Sequence, residues 1–189
     1  MVNAALRRYL RNDGEMTDLN EEKKFDQSKP ILFAHRGGRG EAPENTLDAF
    51  SLAISKGIGG IESDVWLSSD GVPILSHNNA VGTFGRRKKI SKTLVSQLPE
   101  GVPSFENFYE HFGSDLEVSL DIKDPEAIDA TISVAIKYGA ISKLWICYPD
   151  WKISKQWRKI NPDFKLVDSP GEKGFPEGGE RRAFSLSQN

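Results

Sequence analysis

The chain contains one cysteine, Cys147, which rules out a disulfide framework and any cysteine-based metal cluster. Cys147 stands in the apolar run LWICY, where a buried, inert thiol is expected rather than a nucleophile. Neither sign of charge is in excess: 25 basic against 27 acidic residues give a formal net charge of −2. Without a basic footprint, nucleic acid or an anionic membrane surface is not expected as the main partner. Long hydrophobic runs are missing too, so no transmembrane segment is read. The N-terminal apolar stretch is broken by Arg7 and Arg8 before a signal region forms, so the expected location is cytoplasmic. A dinucleotide loop is also lacking: HRGGRG follows a strand but has none of the surrounding fingerprint.

What is present suits a single α/β domain. With 189 residues, 38% of them hydrophobic and 28% charged, the chain is long enough for a core of its own. Residues 1–28 read as a charged N-terminal extension with a short helix over Ala4 to Leu10, and 29–189 as the folded domain. Within it, strand-like runs (ILFAHR, GGIESDVWL, VPILSH, LEVSLDIK, KLWICYP, FKLVDS) alternate with helical ones (ENTLDAFSLAISKG, PSFENFYEHFG, EAIDATISVAIKYG, SKQWRKIN). Such alternation predicts a parallel sheet. One link resists it. SSDG between Leu67 and Val72 is a tight-turn signal, whereas two parallel strands need a crossover of about a dozen residues or more. Either the second strand ends early and the chain doubles back, or VPILSH is not a regular parallel neighbour.

His35, Glu62, Asp64, His77 and Asp121 all fall toward the C-terminal ends of these runs, where α/β barrels build their sites. Residues i and i+2 of a strand share a face, so Glu62 and Asp64 point together, as do Asp121 and Lys123. Carboxylates on one face suit a hard cation. Two imidazoles, titrating as a class near neutral pH, suit an acid/base pair. His111 in YEHFG reads as a solvated helix end, and Trp145, Tyr148, Trp151 and Trp157 as packing. Arg86 to Lys89, RRKK, reads as a solvated loop, with a place near an anionic substrate as the alternative that its position after His77 offers.

Together HRG at 35–37, PENT at 43–46, Glu62-Ser63-Asp64 followed by SSDGVPILSHN, VPSFENF at 102–108 and LDIK at 120–123 resemble the glycerophosphodiester phosphodiesterase family, in family order and spacing. The resemblance implies a TIM (β/α)8 barrel of the phospholipase C-like type. Here it is expected to be incomplete, with about six strands present and open edges through which the chain self-associates. It implies metal-dependent hydrolysis of a small-molecule glycerophosphodiester to glycerol 3-phosphate and an alcohol. Glu62, Asp64 and Asp121 would hold one divalent cation, Mg²⁺ or Ca²⁺. His35 and His77 would form the general acid/base pair, their order left open with His35 favoured as base and His77 as acid, and Arg36, Lys123 and Glu44 would serve substrate binding. Two positions depart from the family pattern: Asp121 replaces the usual Glu, and Asn78 replaces the Asp that usually follows the second histidine. The absence of a membrane-binding apolar loop favours soluble diesters over intact lipids. An inactive barrel acting as a binding module, and a related phospholipase D-like activity, are the alternatives.

Overall fold

The computed structural model describes residues 8–10, 16–18, 30–38 and 40–168. The chain divides into two compact units, 1–30 and 31–189. In the first, β1 (Arg8–Leu10) pairs antiparallel with β2 (Met16–Asp18), Arg8 opposite Asp18. The helix expected over Ala4 to Leu10 is therefore a strand at its C-terminal end, and its earlier residues lie outside the described ones. A helix that short is marginal in water, whereas a paired strand gains its partner's hydrogen bonds.

The second unit runs β3 (Phe33–His35), α1 (Leu47–Ser55), β4 (Gly60–Leu67), β5 (Pro73–Leu75), β6 (Ala80–Val81), β7 (Lys88–Lys89), α2 (Phe105–Phe112), β8 (Glu117–Ile122), α3 (Ile128–Lys137), β9 (Leu144–Tyr148), α4 (Trp151–Trp157) and β10 (Lys165–Asp168). The helices start where their caps dictate. Thr46 accepts from the Ala49 amide, Ser104 and Asn107 form a reciprocal capping box, and Asp150 accepts from the Lys152 and Ile153 amides. Asp150 opens α4 at Trp151, ahead of the expected SKQWRKIN.

Five strands are parallel, in the order β10-β9-β8-β4-β3. The sixth run, VPILSH, resolves the alternative that the SSDG link left open: β5 lies antiparallel against the end of β4, Val65 opposite Leu75. The tight turn decides this. Ser68 donates its amide to the Val72 carbonyl at 3.0 Å and its hydroxyl to Asp70 at 2.6 Å, and Gly71 takes φ +79°. The chain doubles back within four residues, too few for a crossover.

Period-2 alternation sorts the side chains. Ile61, Val65, Leu120, Leu144 and Ile146 point from the sheet into one apolar cluster with Phe50 and Ala53 of α1, Phe105 and Phe108 of α2, and Ile132 and Ala135 of α3. The opposite face carries Phe33, His35, Glu62, Asp64, Glu117, Ser119, Asp121, Trp145 and Cys147. That face is concave. The Phe33 and Trp145 rings meet edge to face with centroids 5.7 Å apart although β4 and β8 lie between their strands, a span of about 14 Å on a flat sheet. Gly60 permits the approach, because a Cβ there would sit 2.7 Å from the Phe33 ring. Among the described residues the sheet curls like a barrel wall without closing. No described helix is long and apolar enough to cross a membrane.

Candidate active site

The register of the strands assembles the centre. His35, the last residue of β3, lies opposite Glu62 on β4, and Asp64 lies opposite Asp121 on β8. His35 Nε2 is 3.8 Å from Glu62 Oε2, with the imidazole 58% exposed. The chain then turns sharply. Arg36 adopts φ +54°, held by its amide donating to the Glu62 carbonyl at 3.0 Å and to Glu62 Oε2 at 3.1 Å. Gly37 follows at φ +82°, where any Cβ would meet the Phe50 ring at 2.6 Å, so the HRG turn packs directly on α1.

The Arg36 side chain turns inward. Its Nη1 donates to both Glu44 oxygens, at 3.1 and 3.3 Å, and its Nε lies 3.4 Å from Asp64 Oδ2. Nε is buried without a hydrogen-bond partner, so its relation to Asp64 is one of charge rather than of an aligned bond. Asp64, with a side chain only 2% exposed, is held from three sides. Lys123 Nζ approaches Oδ1 at 3.1 Å, Asn45 Nδ2 donates to Oδ2 at 3.3 Å, and Arg36 flanks it. Asn45 is itself fixed by the Ser63 hydroxyl at 2.7 Å. Lys123 Nζ also donates to Asp121 Oδ2 at 2.6 Å.

Crowding of negative charge shows in Glu62. Burial, then the neighbouring Asp64, pushes its carboxyl up to about 7, against the lowering effect of Arg36 and with a further raise from Asp121. Burial pulls the Lys123 ammonium down, but its hydrogen bonds to Asp121 and Asp64 outweigh that, and the group lies above its ordinary value. Below the centre, burial pushes the Cys147 thiol up to about 11, and its sulfur sits 3.4 Å from the Ser119 hydroxyl. This agrees with the unreactive thiol expected from the sequence.

His77 arrives by the doubling back of β5. The Ser76 amide donates to the Asp64 carbonyl at 2.9 Å, and Trp66 Nε1 donates to the His77 carbonyl at 3.3 Å. His77 lines an open cleft of about 220 Å³ with Glu44, Asn45, Gly82 and Arg87. Glu44 and Asn45 border both this cleft and the carboxylate centre, joining the two. His111 lies outside the site, exposed in the last turn of α2 against Phe112.

All eight residues singled out in the sequence sit at these strand ends or on the cleft bordering them. Glu44, expected to serve substrate binding, holds Arg36. Among the described residues no three His, Cys, Asp or Glu side chains are drawn together as a ready cation cage. Lys123 occupies the position between Asp64 and Asp121, while Glu62 is engaged by the Arg36 amide. Sequence reasoning missed Asn45 and gave Arg87 only as part of the RRKK loop after His77. Asn after Pro-Glu, in a turn that demands a left-handed residue, was the available signal for the first, since Asn45 takes φ +57°.

Comparison with known proteins covers the same ground. Glycerophosphodiester phosphodiesterase 1 of Bos taurus is 48% identical over 131 residues, 60% of this chain and 39% of that protein. The chain therefore spans well under two thirds of that relative. A glycerophosphodiester phosphodiesterase structure from Thermotoga maritima superposes with a TM-score of 0.65 at 31% identity, covering 73% of this chain and 61% of that one. An Oleispira antarctica phosphodiesterase solved in complex with the product sn-glycerol-3-phosphate gives 0.62 at 26% identity, covering 72% and 64%. A family model, that of the glycerophosphoryl diester phosphodiesterase family, matches residues 35–156. That match begins at the histidine ending β3 and runs through β4, β8 and β9 into α4; this chain belongs to the glycerophosphoryl diester phosphodiesterase family.

Proposed function

We propose that the chain hydrolyses glycerophosphodiesters to glycerol 3-phosphate and an alcohol, with one divalent cation, Mg²⁺ or Ca²⁺, and His35 and His77 as the proton-transfer pair. The observation that carries this is the register: Asp64 faces Asp121 across β4 and β8, while Glu62, two residues earlier on the same face, faces His35. The product named in the Oleispira antarctica structure supports the substrate class.

The donor set fits a hard cation. Every group is a carboxylate oxygen, and Glu44, Glu62, Asp64 and Asp121 stand against Arg36 and Lys123, a balance of two negative charges among these six. Glu62, Asp64 and Asp121 would hold the cation, which when bound supplies charge to the phosphoryl oxygens and to the attacking oxygen.

The chain's own residues do the rest. Arg36, clamped by Glu44 and Asp64, is a fixed positive charge with one guanidinium edge already committed, so its field acts without reorganisation. Lys123 offers an ammonium at the edge of the centre, one-quarter exposed and able to reach an incoming phosphate. The exposed imidazole of His35, beside Glu62, takes the proton of the attacking oxygen, either that of water directly or that of the neighbouring glycerol hydroxyl, in which case water then opens the cyclic phosphate. His77, on the cleft wall, returns a proton to the departing alcohol, whose headgroup the cleft would receive. Phosphorus-31 NMR of purified protein with glycerophosphocholine tests the assignment. Growth of the glycerol 3-phosphate monoester signal at the expense of the diester is expected, and an unchanged diester signal overturns it.

A further inference from the structure

Beside the cleft, β6 and β7 form a short hairpin whose apex, Phe84, has no role in the reaction proposed above. Its base is rigid. Ala80 pairs with Lys89 and Val81 with Lys88, the Ile90 amide donates to the Asn79 carbonyl at 3.0 Å, Asn79 and Ser91 exchange hydrogen bonds at 3.1 Å, and Ile90 is fully buried. The tip turns at Thr83 to Arg86, whose amide donates to the Thr83 carbonyl at 3.0 Å, between Gly82 at φ +105° and Gly85 at φ +78°.

At the apex stands Phe84, 103% exposed, the most exposed large hydrophobic side chain among the described residues. Arg86, Arg87, Lys88 and Lys89 follow it, all exposed, in a chain whose net charge is −2. Four of the chain's 25 basic residues thus stand consecutively at this tip. An aromatic ring held out on a turn with four consecutive cations behind it is the chemistry of an interfacial anchor: the ring enters the headgroup region and the cations meet anionic lipid. Single-stranded nucleic acid is instead bound along a groove by aromatic platforms in succession, which one ring on a convex tip does not supply.

We infer that the Phe84–Lys89 hairpin tip docks the chain on an anionic phospholipid surface. Gly82 and Arg87 belong both to the hairpin and to the cleft lining, so docking would set the mouth of the cleft at the bilayer. The inference goes beyond the proposed hydrolysis and does not rest on it, since binding is read without turnover.

The test is co-sedimentation of the full chain with vesicles of phosphatidylcholine alone and with about 30% phosphatidylserine added, at low salt. Binding is expected only to the serine-lipid vesicles, falling about ten-fold in Phe84→Ser and in Arg86→Glu, retained in Phe84→Leu, and lost near 0.5 M salt as charges are screened. Hydrolysis of soluble glycerophosphocholine by Phe84→Ser is expected at the wild-type rate. Absence of vesicle binding, or equal binding by wild type and both tip variants, overturns the inference. Tighter binding to single-stranded RNA, lowered by the same variants, overturns it in favour of a nucleic-acid surface.

Discussion

Asp64 and Asp121 stand opposite each other in the β4–β8 register, and a single ammonium, Lys123 Nζ, bonds both, at 3.1 and 2.6 Å. Two carboxylates facing each other repel when both are ionised, and positive charge between them relieves that repulsion. In the proposed site a divalent cation shares that task with Lys123, and the two make separable predictions.

Removing the ammonium exposes the first. Lys123→Met leaves Asp64 and Asp121 facing each other, so its melting temperature should fall in divalent-free buffer and recover on adding Mg²⁺ or Ca²⁺, with recovery larger than the shift seen in wild type. Thermal unfolding with and without cation measures it. Identical cation shifts in the two proteins would show that no cation binds at this pair.

The Glu62 carboxyl, raised to about 7 from an ordinary 4.5, makes the second prediction one of pH. Its folded-state value is higher than its unfolded one, so its contribution to stability is complete below about 4.5 and is lost as pH rises through about 7. Metal-free protein should therefore lose stability across that window. Glu62→Gln, which cannot ionise, should flatten that part of the profile. Protons and cations also compete for this carboxylate, so calorimetric affinity for Ca²⁺ should strengthen from pH 6 to 8 in wild type.

Third, His35→Ala and His77→Ala should each lower turnover by about 10²-fold or more with the fold intact. His35 is mostly exposed and its loss removes little packing. Steady-state rates beside circular dichroism spectra settle each residue separately, and a near wild-type rate would strip that histidine of its role.

Much of this architecture was legible because it is local. Strand alternation and the ordered HRG, PENT, ESD and LDIK motifs lie on short stretches whose side-chain direction follows from periodicity alone. The SSDG turn announced a conflict but left two resolutions open; only pairing against β4 showed that the chain doubles back. Asn45 was missed because its importance lies in two distant partners, Ser63 and Asp64, which no spacing rule connects to it. Phe84 is a single aromatic in a polar loop whose exposure only the structure shows, and the docking inference is set against the expectation that no membrane-binding loop exists. The Ala4–Leu10 reading failed where strand pairing with Met16–Asp18 competed with a marginal helix.

Asn45 carries the fourth prediction. Asn45→Gly preserves the left-handed turn yet deletes the amide that bonds Asp64 and accepts from Ser63. Two buried groups lose partners, at a cost of about 1–3 kcal/mol each. Denaturant unfolding should show that loss and turnover should fall with it, because Asp64 is no longer fixed. Unchanged stability and rate would mean that Asp64 is positioned without Asn45.

The central claim is that carboxylates on adjacent strand ends hold a cation on which phosphodiester cleavage depends. The direct measurement is the rate of glycerol 3-phosphate release from glycerophosphocholine by wild type and Asp64→Asn, each in Mg²⁺ or Ca²⁺ and in excess EDTA. Turnover by wild type with cation, abolished by EDTA and lost in Asp64→Asn under both conditions, is the predicted result. Undiminished release in EDTA, or full activity of Asp64→Asn, would contradict it.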